Sequence, residues 1–256
     1  MRVFFELSYN GAPFNGWQVQ PDAPSVQAAL EAALATLYRT PVPVVGAGRT
    51  DTGVNALSTV AHADLPHERI PLYRLKYSLN GLLRGSIHIR RIRPVLPGAH
   101  ARFDALSRTY YYYIAQEKDP FMGAWVLEMR RLPGVELMNR GAEYLLGTQD
   151  FTSLSKTHTD TKTNICRVSY ARWEVLCAGN VLRFTITADR FLRNMVRAAV
   201  GTLIEVGRGK IPPEAVREIL LAKDRCRAGS SVPGEALFLA QVTYPPELYL
   251  PDPPEP

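Results

Sequence analysis

Asp51 is the only acid in the stretch Gly46-Ala47-Gly48-Arg49-Thr50-Asp51-Thr52-Gly53, and Arg49 stands two residues before it. A carboxylate placed this way can act as a nucleophile or a base. Three glycines in eight residues permit a backbone that β-carbons would block, and helical periodicity is absent. The same residues also fit an Asx-turn, with Asp51 bonded to its own backbone and Arg49 a surface charge. The remainder of the chain decides between the two.

Further chemistry lies in the cations. Between residues 84 and 108 stand Arg84, Arg90, Arg91, Arg93, Arg102 and Arg108, opposed by Asp104 alone. Such a run fits either a polyanion groove or a solvated basic face. It is followed by Tyr110-Tyr111-Tyr112-Tyr113. On a strand, alternate tyrosines face opposite sides, so one pair packs inward while the other is left for a cleft. An aromatic in a cleft stacks on a nucleic-acid base, worth about 1–3 kcal/mol. Arg190, Arg193 and Arg197 share a side at helical spacing, beside the apolar stripe from Phe191 to Leu203. Arg197 lies at the stripe's edge and is the best candidate for a cleft; an arginine held against Asp51 would keep that carboxylate ionised.

Other chemistries find little support. His62, His67, His88, His100 and His158 show no metal-ligand spacing. Cys166, Cys177 and Cys226 imply neither a disulfide framework nor a zinc site. The glycine loop lacks the lysine of a phosphate-binding loop and the GxGxxG spacing. The formal net charge of +6, mostly from arginine, suits a phosphate-bearing partner. The first residues run straight into a strand pattern with no basic-then-apolar leader, and no apolar run approaches the roughly 20 residues of a membrane helix. The expectation is a soluble protein of a reducing cytoplasm.

The elements that must position these groups read as two α+β halves hinged near Phe103 to Ser107. In the first, a strand over Val3–Tyr9 precedes a helix capped by Ser25 and ended by Pro41, with Val42–Val45 a short strand leading to the glycine loop. A helix over Leu72–Leu83 and a strand over Ile87–Ile92 follow. In the second, strands are expected over Tyr110–Ala115, Tyr170–Leu176 and Leu182–Ile186, with helices over Val135–Leu146 and from Phe191 to Gly207. A short helix after Pro213 and a strand over Leu237–Thr243 complete it. Residues 246–256, rich in proline, are expected to be a loose tail.

Taken together, these motifs resemble the TruA family of tRNA pseudouridine synthases almost end to end. Tyr9-Asn10-Gly11 with Gly16-Trp17-Gln18-Val19-Gln20 resembles the family's opening motif, and Ser25-Val26-Gln27 its first helix start. Gly48-Arg49-Thr50-Asp51-Thr52-Gly53-Val54 resembles the catalytic-aspartate motif. His100-Ala101-Arg102-Phe103 with Arg108-Thr109-Tyr110 resembles the segment of the active-site tyrosine. Phe191-Leu192-Arg193-Asn194-Met195-Val196-Arg197 resembles the motif of the basic partner. Departures are Asn55 where histidine is common, Arg84 where proline is usual, and the variant segment Pro233-Gly234-Glu235-Ala236-Leu237.

The resemblance implies an α+β pseudouridine synthase fold: two similar halves (1–106 with the aspartate loop, 107–245 with the tyrosine and the basic helix) around a continuous mixed or antiparallel sheet with a central cleft. It implies an isomerase that flips a uridine out of tRNA, breaks its C1′–N1 bond, turns the base and rejoins C1′ to C5, on the 3′ side of the anticodon arm. Asp51 would start bond cleavage, Tyr110 would stack on the uracil, Arg197 would pair with Asp51, and Arg49 would contact the RNA backbone or fill the vacated stack. It implies a homodimer, tRNA as partner, and neither cofactor nor metal. Two other readings remain at this level: a non-catalytic RNA-binding module, which leaves Asp51 unexplained among cations, and a nucleotide-binding enzyme, which lacks the lysine.

Overall fold

Alternating apolar side chains make Arg2–Tyr9 a strand (β1), with Val3, Phe5, Leu7 and Tyr9 buried and Phe4 buried on the opposite face. The computed structural model describes residues 1–67, 69–156, 162–177 and 180–251, and among these the chain forms ten strands and five α-helices in a mixed α+β fold. It divides into two compact units, Met1–Leu106 with Leu239–Pro256, and Ser107–Phe238.

The first unit contains β1, α1 (Val26–Tyr38), β2 (Val45–Gly46), β3 (Asn55–Asp64), α2 (Leu72–Leu82) and β4 (Ile87–Pro94). β1 pairs antiparallel with β3 on one side and β4 on the other, and β2 pairs with β3. Ser25 caps α1 by accepting the Ala28 N–H at 3.2 Å. α2 packs on β4 through Leu75 and Leu79. Its Asn80 side chain donates to the Ile89 carbonyl (2.9 Å) and accepts the Ile89 N–H (2.7 Å), covering part of a sheet edge.

In the second unit, β5 (Ser107–Ala115), β9 (Val181–Ala188), β8 (Ile165–Leu176) and β7 (Gly147–Asp150) lie in that order, antiparallel. β6 (Leu127–Glu128) pairs parallel with β5. α3 (Val135–Glu143) packs on β8 and on α4 (Met195–Gly207), and Asn139 of α3 exchanges two hydrogen bonds with the Trp173 backbone. α5 (Ala215–Ala222) follows, and β10 (Leu237–Thr243) returns the chain to the first unit.

Five details differ from the sequence reading. Val42–Val45 is not a strand: Pro41 and Pro43 have no N–H to give a ladder, and only Val45–Gly46 pairs. The strand β3 goes unread because Asn-Ala-Leu-Ser-Thr-Val-Ala-His-Ala-Asp is poor in β-branched residues and buried on both faces over Val60–Ala63, which hides its alternation. β8 begins five residues earlier than expected, at Ile165. α4 begins at Met195, since Asn194 takes a left-handed backbone (φ 68°) that no helix continues through. Arg190 and Arg193 therefore precede the helix and do not share a helical face with Arg197. The tail is packed as far as Leu250: Tyr249 lies against Phe4 and under the Arg93 guanidinium (3.7 Å), and Leu250 donates to the Pro94 carbonyl. Residues 252–256 and His158 lie outside the described residues.

Candidate active site

The loop carrying Asp51 is tied down on both sides of the acid. Before it, Thr50 shares a 2.8 Å hydrogen bond with the Tyr9 hydroxyl, and its carbonyl accepts the Trp17 N–H at 3.3 Å. After it, the Asp51 carbonyl accepts the Val54 N–H (3.2 Å), closing a turn through Gly53 at φ 75°. The Gly53 N–H in turn reaches the Phe14 carbonyl. Gly16, at φ 93°, lets the opening loop approach so closely that a β-carbon there would collide with the Thr50 carbonyl. The Trp17 indole is buried over Gly46. With the flanking backbone bonded in this way, the loop holds the backbone of the half-buried Asp51 in place. Arg49 is exposed on the same loop.

The motif glutamine Gln27 extends the scaffold. Its amide accepts the Val19 N–H and donates to the Val44 carbonyl and to Glu31, whose carboxylate accepts the Val44 N–H. Asn55 is buried and accepts the Gly11 N–H at 2.8 Å. The departure at Asn55 thus bears on the scaffold of the loop.

In the second unit, Tyr110 and Tyr112 are the buried pair of the tyrosine run, and Tyr111 and Tyr113 face the other side half-buried. Tyr110 meets Phe191 edge-on, with ring centres 5.0 Å apart. Phe191 is placed there by the turn that ends at Asn194. Tyr111 and Tyr113 are engaged by their own chain: Arg183 lies 4.8 Å from the Tyr111 ring centre and pairs with Glu174 at 2.7 Å, while Phe238 packs edge-on to Tyr113.

Arg197 occupies the first turn of α4, and its Nε donates to the Val232 carbonyl at 2.7 Å, while the Val232 N–H returns a bond to the Arg197 carbonyl. The strap from Ala228 to Ala236 that supplies Val232 is held along its length. Ser231 Oγ meets both Asn194 Nδ2 (2.6 Å) and Arg225 Nη2 (2.9 Å). Gly229 donates to Thr202, and the Ser230 carbonyl occupies the place of a β-carbon on Gly201. The Pro233 carbonyl accepts the Tyr112 hydroxyl at 3.1 Å. Burial raises the Tyr112 pKa well above its usual value, and the nearby Arg197 charge opposes the rise. The strap thus ties Arg197 to the strand that carries Tyr110.

Residues 142–245 match the model of a family described as tRNA pseudouridine synthase. The chain is 53% identical to the tRNA pseudouridine synthase A of Parabacteroides distasonis, over 97% of this chain and 98% of that protein. The corresponding protein of Porphyromonas gingivalis is 53% identical over 97% and 99%, and that of Bacillus subtilis 40% over 95% and 99%. The chain belongs to the tRNA pseudouridine synthase A family. This synthase is therefore an isomerase that acts on uridines of tRNA. Its sequence points directly to the aspartate loop. Tyr9, Thr50 and Asn55 stand in or beside the motifs read from the sequence, but their bonding does not show there. Thr202, Arg225 and Ser231, which hold the strap and through it Arg197, escape a reading based on reactive groups because they bond backbone or neutral side chains. The strap leaves one trace in the sequence, the run of small residues Ala228-Gly229-Ser230-Ser231, too polar for a core.

Proposed function

We propose that Asp51 starts glycosidic cleavage of a tRNA uridine, with Tyr110 stacking on the flipped base, Arg197 pairing with the Asp51 carboxylate and Arg49 touching the RNA backbone or the vacated stack. Residues 1–106 supply the acid in this reading, and residues 107–245 the tyrosine and the basic partner. The target is the 3′ side of the anticodon arm, and the synthase works as a homodimer in the cytoplasm. The reaction breaks C1′–N1, rotates the uracil and forms C1′–C5, while C5 gives up its proton and the freed N1 takes one, so that no atom or electron is gained or lost and the chemistry calls for no cofactor and no metal. Flipping the base costs a few kcal/mol, which stacking on an aromatic can return.

The observation that carries this reading is the Asp51 loop, bonded to its neighbours before and after the acid. A second feature supports the role of Arg197. The first turn of α4 holds no acid of its own, so the helix end adds positive potential to the guanidinium and favours an anion beside it.

The test is tritium release from transcribed tRNA labelled at uridine C5. Wild type should release the label. Asp51→Asn should reduce release to background while binding tRNA within about threefold of wild type, since one neutralised acid in a basic groove alters phosphate contacts little. Turnover by Asp51→Asn would remove the acid from the mechanism.

A further inference from the structure

Helix α2 carries a face that the fold itself does not use. Leu72, Leu75 and Leu79 face the core, whereas Tyr73, Arg74, Tyr77, Gly81 and Arg84 are exposed along one side and its extension past the C-terminus. Tyr77 is 83% exposed, with Arg74 three residues away at helical spacing. From Arg69 to Phe103 the chain holds seven arginines and one lysine, with no aspartate or glutamate. Among the described residues, the N-terminus of α2 has neither a side-chain cap nor an acid in its first turn.

A solvated basic face accounts for the cations but not for the company they keep. A tyrosine left almost wholly in water loses the gain of burying its ring. Gly81 lowers helix propensity at a position where a β-carbon would meet nothing within 4 Å of it, so the fold does not require a glycine there. Among the described residues, Arg84 donates to the Gly81 carbonyl at 3.0 Å, and the residue is exposed.

The face also leads somewhere. Ser86, two residues beyond Arg84, accepts the Asn10 N–H at 2.9 Å, and Gly11 bonds to Asn55, which follows the Asp51 turn. The row from Tyr73 to Arg84 thus runs about 16 Å along the helix toward the end of the unit that carries Asp51. We propose that this face docks a second stretch of the tRNA, beyond the reacting loop, with Arg74 and Arg84 on its phosphates and Tyr77 stacked on a base or ribose. Gly81 leaves the helix bare for a close approach of that backbone. The proposal rests on tRNA being the substrate.

The experiment uses the full chain with an unmodified full-length tRNA transcript, measuring Kd across a salt series and tritium release under saturating and limiting tRNA. Tyr77→Ser should raise Kd and KM about fivefold or more and leave kcat unchanged, and Tyr77→Phe should restore both. Arg74→Gln should lower the slope of log K against log salt by about one, as expected for one lost phosphate contact. Unaltered KM and salt slope in both Tyr77→Ser and Arg74→Gln would overturn the proposal. So would a fall in oligomer mass on Tyr77→Ser with tRNA affinity per site preserved, since a second copy would then be the occupant. Wild type that binds tRNA without releasing tritium would remove the isomerase mechanism while leaving the Kd comparison to judge the docking face.

Discussion

His62 shows how a side chain in this synthase can be chemically idle and still set the conditions under which the molecule stands. It is buried on β3 beside Phe4, its Nδ1 accepts the Ala101 N–H at 3.1 Å, and its ring centre lies 4.6 Å from that of His100. Burial is the main cause that lowers its pKa to about 4; the charges of His100 and Arg2 add to this, while Asp64 and Asp104 oppose it. The unfolded histidine titrates near 6.5, so between the two values the unfolded chain binds a proton that the folded one refuses. The stabilising contribution is complete above about pH 6.5 and is lost as pH falls toward 4, by roughly 2–3 kcal/mol. Urea melts of wild type and His62→Gln, whose amide oxygen can still accept the Ala101 N–H, should converge in stability as pH drops from 7 to 4.5. Parallel curves would show that His62 carries no such linkage. The same residue marks a limit of sequence reading: the absence of ligand spacing suggests a structural role for His62, but its bond to Ala101 spans 39 positions and leaves no local trace.

At the scale of elements, the strap from Ala228 to Ala236 holds the Arg197 guanidinium, the proposed partner of Asp51. Ser231 sits between Asn194 and Arg225, so Ser231→Ala removes one partner from each and loosens the carbonyl on which Arg197 Nε rests. The expected result is a drop in kcat of about fivefold with KM unchanged, an amount that matches the loss of roughly one hydrogen bond's worth of positioning. If Arg197 holds Asp51 ionised, the acid limb of the pH–rate profile should also move to higher pH, and Ser231→Thr should restore it. A lower melting temperature with an unmoved acid limb would make the strap structural only. Elements with clean periodicity, such as β9 and α1, are legible in the sequence, as is the alternation that splits the tyrosine run. The start of α4 is not, because the apolar spacing of Phe191 and Leu192 continues that of the helix, while Asn194 takes a left-handed backbone and bonds Ser231, 37 positions away. That turn lies beside the contact of Phe191 with Tyr110, the proposed base-stacking residue.

For the whole molecule, the exposed apolar side chains of β8 bear on assembly. Ile165, Tyr170 and Val175 are each at least 41% exposed. Among the described residues β7 pairs with Ile165–Val168, and beyond it the edge of β8 is covered at Trp173 by Asn139 and otherwise left without a strand partner. A second copy that covers this region would satisfy both, in keeping with the proposed homodimer. Light scattering at micromolar concentration should give twice the mass of one chain, and Val175→Lys should shift it toward a single chain; a monomeric wild type would overturn the homodimer. The outline of the fold and the aspartate loop are legible in the sequence because they rest on local pattern. The packed segment through Tyr249 and the central strand β3 are not, because both take their form from partners distant in the chain.

The division of the chain itself sets an order in time. The unit that contains Asp51 joins Met1–Leu106 to a segment from Leu239 on: most of β10, and Tyr244, whose hydroxyl donates to the Ala101 carbonyl at 2.6 Å, are made after the other unit. During synthesis, the first hundred residues can collapse but cannot finish, because one strand and the Tyr244 and Tyr249 side of their core cluster have not been made. A ribosome that stalls or terminates early on this message releases a chain whose aspartate-bearing unit is still open. Synthesis through Tyr249 is thereby a precondition for a closed aspartate-bearing unit.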